Sequence, residues 1–209
     1  MSSAVFLDRD GVINENRADY ILHPDEVEFV PRVLRGLALL AAAHLPCYVV
    51  TNQAAVGRGL LSEAGLAAIH ERIAAEAQKA GARLAGFYHC PHRADERCRC
   101  RKPRIGLFEQ AAAEHGITLE RSYYIGDALT DIQAGQAAGC TTILVSTGRG
   151  RSQILDEEAR RLRGFYVARN LEQAAAWIIG REQALQAQRR RPGHARRWWS
   201  TRTPRLEFV

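Results

Sequence analysis

The chain has 209 residues, of which 46% are hydrophobic, enough for one domain with a substantial core. No uninterrupted apolar run approaches the roughly 20 residues that cross a bilayer, and neither a basic nor a long apolar region precedes Asp8, so the expectation is a cytoplasmic protein without a secretory signal. The formal net charge of +6 is local: seven arginines lie between Arg189 and Arg205 with no acid among them, which leaves the body close to neutral.

The first apolar run, Ala4-Val5-Phe6-Leu7, reads as a buried strand whose carboxyl end delivers Asp8-Arg9-Asp10-Gly11 into a crevice. A polar stretch through Pro24 follows, a loop over that crevice. Residues 30–43 predict a helix with Pro31 at an early position and Leu34, Leu37, Ala38, Ala41 and Ala42 on its apolar stripe. Residues 47–50 predict a strand ending at Thr51-Asn52-Gln53, and residues 54–61 a loop containing Gly57 and Gly59. Ser62 caps a helix that carries Leu66, Ile69, Ile73 and Ala77 at helical spacing. Residues 84–89 predict a third strand, and residues 106–115 a helix stopped by Gly116. A strand over 122–125 ends at Gly126-Asp127, Asp131 begins a short helix that stops near Gly139, and 142–145 is a further strand. Loop and polar helix occupy 146–160, a short strand 165–167 and a final helix 171–179.

Strands alternate with helices, and several strands are apolar on successive residues. That pattern predicts an α/β fold with a central parallel sheet covered on both faces, Rossmann-like and three-layered. Ligand chemistry then belongs beyond the strand carboxyl ends. Asp8, Thr51, Cys90 and Asp127 all fall at or just after such ends, and this convergence points to an active site.

Two carboxylates two residues apart raise each other's proton affinity. A divalent cation relieves that cost, and Mg²⁺ prefers carboxylates together with phosphate oxygens. Asp8 and Asp10 therefore suggest a carboxylate nucleophile beside a second carboxylate that carries a proton; the alternative is a pair of solvated turn acids. Asp127 supplies a third carboxylate. Asp131 reads equally as support for the metal or as an ordinary acid at a helix N-terminus. Thr51 and Asn52 offer phosphate donors, Lys102 a compact ammonium and Arg101 a planar fork. Arg58 reaches from the glycine-containing loop, although a solvated arginine is the default there.

A second constellation is Cys90-Pro91-His92, five intervening residues, then Cys98-Arg99-Cys100. Three thiolates and one imidazole suit tetrahedral zinc in a closed, structural site. The intervening segment is too polar to bury these cysteines as ordinary core residues. His89 is an alternative ligand, but not the preferred one.

These motifs together resemble the haloacid-dehalogenase-type phosphatases, in the bacterial branch of heptose bisphosphate and histidinol phosphate phosphatases. The matching pieces are Asp8-Arg9-Asp10-Gly11-Val12-Ile13-Asn14, Thr51-Asn52-Gln53, the Cys/His loop, Cys100-Arg101-Lys102-Pro103 and Gly126-Asp127-Ala128-Leu129-Thr130-Asp131, across residues 4–147. The resemblance implies a fold without a large cap domain, Asp8 as nucleophile and Asp10 as general acid/base. It implies that Thr51 and Lys102 hold the phosphoryl group, and that Mg²⁺ sits on Asp8, the backbone carbonyl of Asp10 and Asp127, supported by Asp131. Arg101, Asn52 and Arg58 are the implied substrate contacts, and Zn²⁺ sits on Cys90, His92, Cys98 and Cys100.

The substrate so implied is a small phosphorylated sugar, D-glycero-D-manno-heptose 1,7-bisphosphate losing its 7-phosphate. Histidinol phosphate is the nearest rival, favoured by the short zinc loop. Ala54-Ala55 departs from the Ser-Gly expected after the glutamine, a departure in sugar recognition rather than catalysis. The phosphatase domain is expected over 1–186. Residues 187–209 would be a basic extension, either a disordered, solvated end or a binder of nucleic acid or an anionic surface, with Trp198 and Trp199 as apolar candidates for contact. A zinc-stabilised nucleic-acid module is the remote alternative; it leaves the strand-end carboxylates unexplained. No membrane or obligate protein partner is implied.

Overall fold

The computed structural model describes residues 2–189 and 206–209. One seven-stranded sheet runs through the molecule in the order β3-β2-β1-β4-β5-β6-β7. Its strands are β1 (Val5–Leu7), β2 (Cys47–Asn52), β3 (Leu84–Cys90), β4 (Tyr123–Gly126), β5 (Thr141–Val145), β6 (Tyr166–Ala168) and β7 (Glu207–Phe208). Every neighbouring pair is parallel except β6 with β7. The chain starts in the middle at β1, walks outward through β2 to β3, then returns to the other side of β1 with β4. That reversal opens a crevice beyond the carboxyl ends of β1 and β4, the usual ligand position in such sheets.

Side-chain alternation along β1 divides the core. Val5 and Leu7 join a cluster with α1 (Val33–Ala42), α3 (Glu63–Lys79) and α8 (Leu171–Arg189) on one face. Phe6 points to the opposite face, where α4 (Gly106–His115) packs, its ring 5.2 Å from Phe108 and 5.8 Å from Tyr48. On that second face, α5 (Leu129–Ala137) and α7 (Glu157–Arg161) cover β5 through Leu129, Ile132, Leu144 and Ala159.

Several boundaries differ from the sequence expectation for identifiable reasons. The helix expected from residue 30 begins at Val33, because Arg32 takes a left-handed φ of 68° ahead of it. The strand expected over 47–50 continues to Asn52, since its parallel pairing with β3 persists to Asn52 opposite Cys90. The loop expected over 54–61 opens with a single helical turn, α2 (Ala54–Gly57), and the 146–160 region holds α6 (Gly150–Gln153). Helix α5 starts at Leu129, two residues before Asp131. Gly116 ends α4 with φ 63°, and the Ser62 side chain accepts from Gly65 N–H at the start of α3, as expected.

The largest differences are at the C-terminal end. Helix α8 runs to Arg189 rather than stopping at 179, so the boundary expected at 186 falls inside it. The final residues rejoin the domain: Tyr166 pairs with Phe208 and Val167 with Glu207, and Val209 N–H donates to Phe165 C=O at 2.9 Å. A strand of two residues carries too little alternation to be read from sequence. Trp198, Trp199 and most of the arginine cluster lie outside the described residues.

Phe6 is fully buried against two rings, so Phe6→Ala is expected to cost about 3–5 kcal/mol. Urea unfolding checks this; a loss below about 1 kcal/mol contradicts the packing described.

Candidate active site

The register of β1 sets the centre of the crevice. Leu7 lies opposite Val49 on one side and Ile125 on the other, and Asp8 N–H donates to Ile125 C=O at 2.9 Å. The side chain of Asp8 thereby emerges beside the end of β4, where Asp127 follows Gly126. Asp131 arrives from the first turn of α5, its Oδ2 accepting the backbone N–H groups of Asp127 (3.2 Å) and Ala128 (3.1 Å). Carboxylate oxygens of Asp8, Asp127 and Asp131 lie within 4.8 Å of one another, and all three residues are buried. This close approach needs Gly126, because a Cβ there would stand 2.2 Å from that of Asp131.

Three carboxylates in a buried space need positive charge. Lys102 supplies it: its Nζ lies 2.8 Å from Asp8 Oδ1 and 2.7 Å from Asp131 Oδ1. The same ammonium donates to Val50 C=O at 3.0 Å and to the Tyr124 hydroxyl at 2.7 Å, and that hydroxyl donates to Asp131 at 3.0 Å. Burial alone would make Lys102 easier to deprotonate, but the charges of Asp131 and Asp8 overcome it and raise its pKa. Burial pushes Asp8 up to about 7, with Asp131, Asp127 and Asp10 adding to it and Lys102 opposing. Asp127 is pushed up to about 6 by burial and by Asp131, against the donors Arg149 N–H and Asn16. The donor set is oxygen-rich, anionic and short of positive charge, which suits a hard divalent cation such as Mg²⁺.

Asp10 has a different environment. Arg9, itself almost wholly buried, grips it through Nε (3.1 Å) and Nη2 (2.8 and 3.0 Å). Asn14 Nδ2 donates to the same carboxylate at 2.9 Å, and Gln53 Nε2 at 2.8 Å. Burial works to raise the Asp10 pKa, but the Arg9 charge and these donors outweigh it and lower it. Gln53 also donates to Thr51 Oγ1 at 2.9 Å, tying the hydroxyl at the end of β2 to Asp10. Gly11, at φ +85°, lets the chain turn beneath Asp127; a Cβ there would stand 2.0 Å from Asp127 Oδ2. Asn16 Nδ2 (2.6 Å) and Arg149 N–H (2.8 Å) hold that oxygen from the two loops flanking it.

The expected substrate contacts divide. The Asn52 amide clamps the Lys102 peptide, accepting its N–H at 3.0 Å and donating to its C=O at 3.3 Å. Arg101 donates to His92 C=O at 3.1 Å, bridging the Cys/His segment to the site. Arg58 is exposed at the end of α2 and makes no side-chain polar contact among the described residues.

Cys90, the last residue of β3, brings the second cluster to the same end of the sheet. His92 Nδ1 lies 3.5 Å from Cys90 Sγ and 3.2 Å from Cys100 Sγ, and Cys90 Sγ lies 3.6 Å from Cys98 Sγ and 3.0 Å from Cys100 Sγ. These four ligand atoms all fall within 4.8 Å of one another, and no disulfide links the cysteines. Separations near the roughly 3.8 Å edge of a tetrahedral zinc–thiolate site fit Zn²⁺. His89 is turned away, bonded to Glu63 at 3.0 Å.

Arg9, Asn14, Asn16, Gln53 and Tyr124 were not among the residues that sequence reasoning singled out. Arg9, Asn14 and Gln53 sit inside the motifs, so adjacency to Asp8, Asp10 and Thr51 was the available signal; Asn16 and Tyr124 had none.

The family model described as HAD-hydrolase-like matches residues 99–174. The chain is 36% identical over 148 residues, 71% of its length and 83% of the relative's, to the D-glycero-beta-D-manno-heptose-1,7-bisphosphate 7-phosphatase of Pseudomonas aeruginosa. It is 33% identical to the D-glycero-alpha-D-manno-heptose-1,7-bisphosphate 7-phosphatase of Campylobacter jejuni, over 69% of this chain and 82% of that one. Among solved structures, the D,D-heptose 1,7-bisphosphate phosphatase of B. bronchiseptica, complexed with magnesium and phosphate, superposes with a TM-score of 0.77 at 33% identity. That match covers 89% of this chain and 99% of the other. With the sheet, the switch-point crevice and these relatives in agreement, the chain belongs to the haloacid-dehalogenase-type phosphatases, in the heptose bisphosphate phosphatase branch.

Proposed function

We propose that this chain removes the 7-phosphate of D-glycero-D-manno-heptose 1,7-bisphosphate through an aspartyl phosphate on Asp8. The observation that carries the chemistry is the Lys102 ammonium seated between Asp8 and Asp131, beside Asp127. The relatives' activity supports the choice of substrate. Asp8, Asp127 and the backbone carbonyl of Asp10 would hold Mg²⁺, with Asp131 in support, and the bound ion supplies positive charge that lets an anionic nucleophile approach an anionic phosphate.

Lys102 opposes the rise in Asp8 proton affinity, favouring the ionised nucleophile, and places its own charge beside the phosphoryl group. Asp8 attacks phosphorus in line, forming the acyl phosphate as the ester P–O bond breaks. Asp10 gives a proton to the departing alkoxide, then accepts one from the water that cleaves the acyl phosphate. Arg9, Asn14 and Gln53 favour the ionised Asp10 that the second half needs. An arriving phosphate dianion raises its proton affinity and so favours the acid that the first half needs. Thr51, fixed by Gln53, faces the phosphoryl oxygens, and Arg101 and Arg58 contact the sugar phosphate. Zn²⁺ on Cys90, His92, Cys98 and Cys100 holds the segment that carries Arg101 and Lys102.

A substrate panel of both anomers of the heptose bisphosphate against histidinol phosphate, with Mg²⁺, tests the assignment; a hundredfold or greater preference for histidinol phosphate overturns it. Asp8→Asn and Asp10→Asn are each expected to lower turnover by about 100-fold or more while the fold persists. Acid-quenched phosphoenzyme should be absent in Asp8→Asn, and near-normal turnover in either variant refutes its role. Chelation of zinc is expected to lower the melting temperature, and unchanged melting after verified metal loss refutes a structural ion. Without Mg²⁺, Asp8 and Asp127 hold protons more tightly folded than unfolded. Their contribution to stability is present at acid pH and is lost as pH climbs through about 6 to 7. Added Mg²⁺ should therefore raise the melting temperature more at pH 8 than at pH 5.5; equal increments contradict this.

A further inference from the structure

The grip on Asp10 has an outer layer that the mechanism above does not use. Two buried polar atoms of that grip, Nη1 of Arg9 and Oδ1 of Asn14, have no hydrogen-bond partner among the described residues, and neither has Nε2 of His70. Arg9 is 1% exposed and His70 8%. A guanidinium N–H left unpaired at such depth carries a large desolvation penalty, and so does an imidazole nitrogen.

His70 sits on the buried face of α3 beside Leu66, Ile69 and Ile73, where packing alone would be served by an aliphatic residue. Its ring stacks on Phe87 at 4.5 Å and 15°, and meets His89 edge-on at 5.9 Å. Burial first, then the charges of Arg9 and His89, drive its pKa down to about 3, with Asp10 opposing. The ring is therefore neutral at physiological pH, with one nitrogen free to accept. Phe87 and His89, which the ring touches, pair with Val49 and Thr51, so His70 lies at the end of β2 that leads into Gln53, the residue that shares Asp10 with Arg9. An acceptor without a donor and a charged donor without an acceptor are thus buried at the same strand end. The aromatic stack fixes the plane of the ring.

We propose that His70 is a positioning residue for the proton-transferring carboxylate: its Nε2 accepts from one buried water that in turn accepts the Nη1–H of Arg9 and donates to Asn14 Oδ1, and so holds the guanidinium in the fork that orients Asp10. The inference rests on Asp10 as the proton donor to the leaving group.

Leaving-group dependence tests it. An alkyl phosphate such as the heptose bisphosphate needs a proton on its leaving oxygen; p-nitrophenyl phosphate does not. In His70→Leu, kcat/KM for the heptose bisphosphate is expected to fall about tenfold or more relative to that for p-nitrophenyl phosphate, and His70→Gln, which keeps an acceptor, to recover most of the loss. Equal losses on both substrates, or equal behaviour of Leu and Gln, overturn the proposal. Asp10→Asn runs alongside. If it shows no selective loss, the Asp10 reading itself fails; if it does and His70→Leu does not, only the present inference fails. Should His70→Leu not fold, ¹⁵N spectra of the wild-type ring decide: the Nδ1–H tautomer supports the proposal and the Nε2–H tautomer overturns it.

Discussion

Charge balance in a closed space governs this molecule. Asp8, Asp127 and Asp131 stand together at the end of a parallel sheet, where burial makes each charge costly, and Lys102 is the ammonium that neutralises part of it. One ammonium cannot balance three carboxylates. Burial first, and the unbalanced carboxylates after it, raise the proton affinity of Asp8 and Asp127, the positions where a divalent cation has most to offset. The same imbalance favours a divalent cation, whose charge in turn offsets what an arriving phosphate adds. Asp10 is exempt, because Arg9, Asn14 and Gln53 balance it separately. Two carboxylates two residues apart consequently have opposite proton affinities, the condition for dividing nucleophilic and proton-transfer work between them.

Lys102 belongs to neither of the two strands that carry the acids. It arrives from the connection after β3, on a segment with little hydrophobic core, and its peptide is clamped by Asn52 while Arg101 reaches back to His92. The Cys/His cluster lies directly upstream of it. The backbone just after β2 reinforces the arrangement: Gln53 N–H donates to Cys90 C=O at 2.7 Å, and Gly57 N–H, at the end of α2, to Pro91 C=O at 2.9 Å. An ion held by that cluster would therefore brace the segment that carries the buried ammonium, rather than merely tie down a surface loop.

Much of this was legible in the sequence, because the informative residues are at strand ends. Short apolar runs stop at Asp8, Thr51 and Asp127, and a parallel sheet brings such ends together whatever the helices between them contain. The four zinc-ligand candidates were legible from ligand type and spacing. Other features were hidden for physical reasons. Arg9 reads as a solvated arginine until its fork is seen on Asp10, and Tyr124 as a core aromatic until its hydroxyl is seen between Lys102 and Asp131. The extra length of α8 was obscured by a polar surface without an apolar stripe. Strand β7 depends on a partner strand 40 or more residues away, Val167 with Glu207 at the nearest pair, and on only two paired positions.

The two arginines at the rim differ in how freely their surroundings can change. Arg58 is exposed at the end of the short helix after β2 and makes no side-chain polar contact among the described residues, so that position can vary without moving any of the clustered carboxylates. Arg101 is the neighbour of Lys102, whose ammonium is bonded to Asp8 and Asp131, so variation there is transmitted to the buried charges. Divergence on such a scaffold therefore has more room around Arg58, where a new side chain meets solvent, than beside Arg101, where it meets the segment that carries the ammonium.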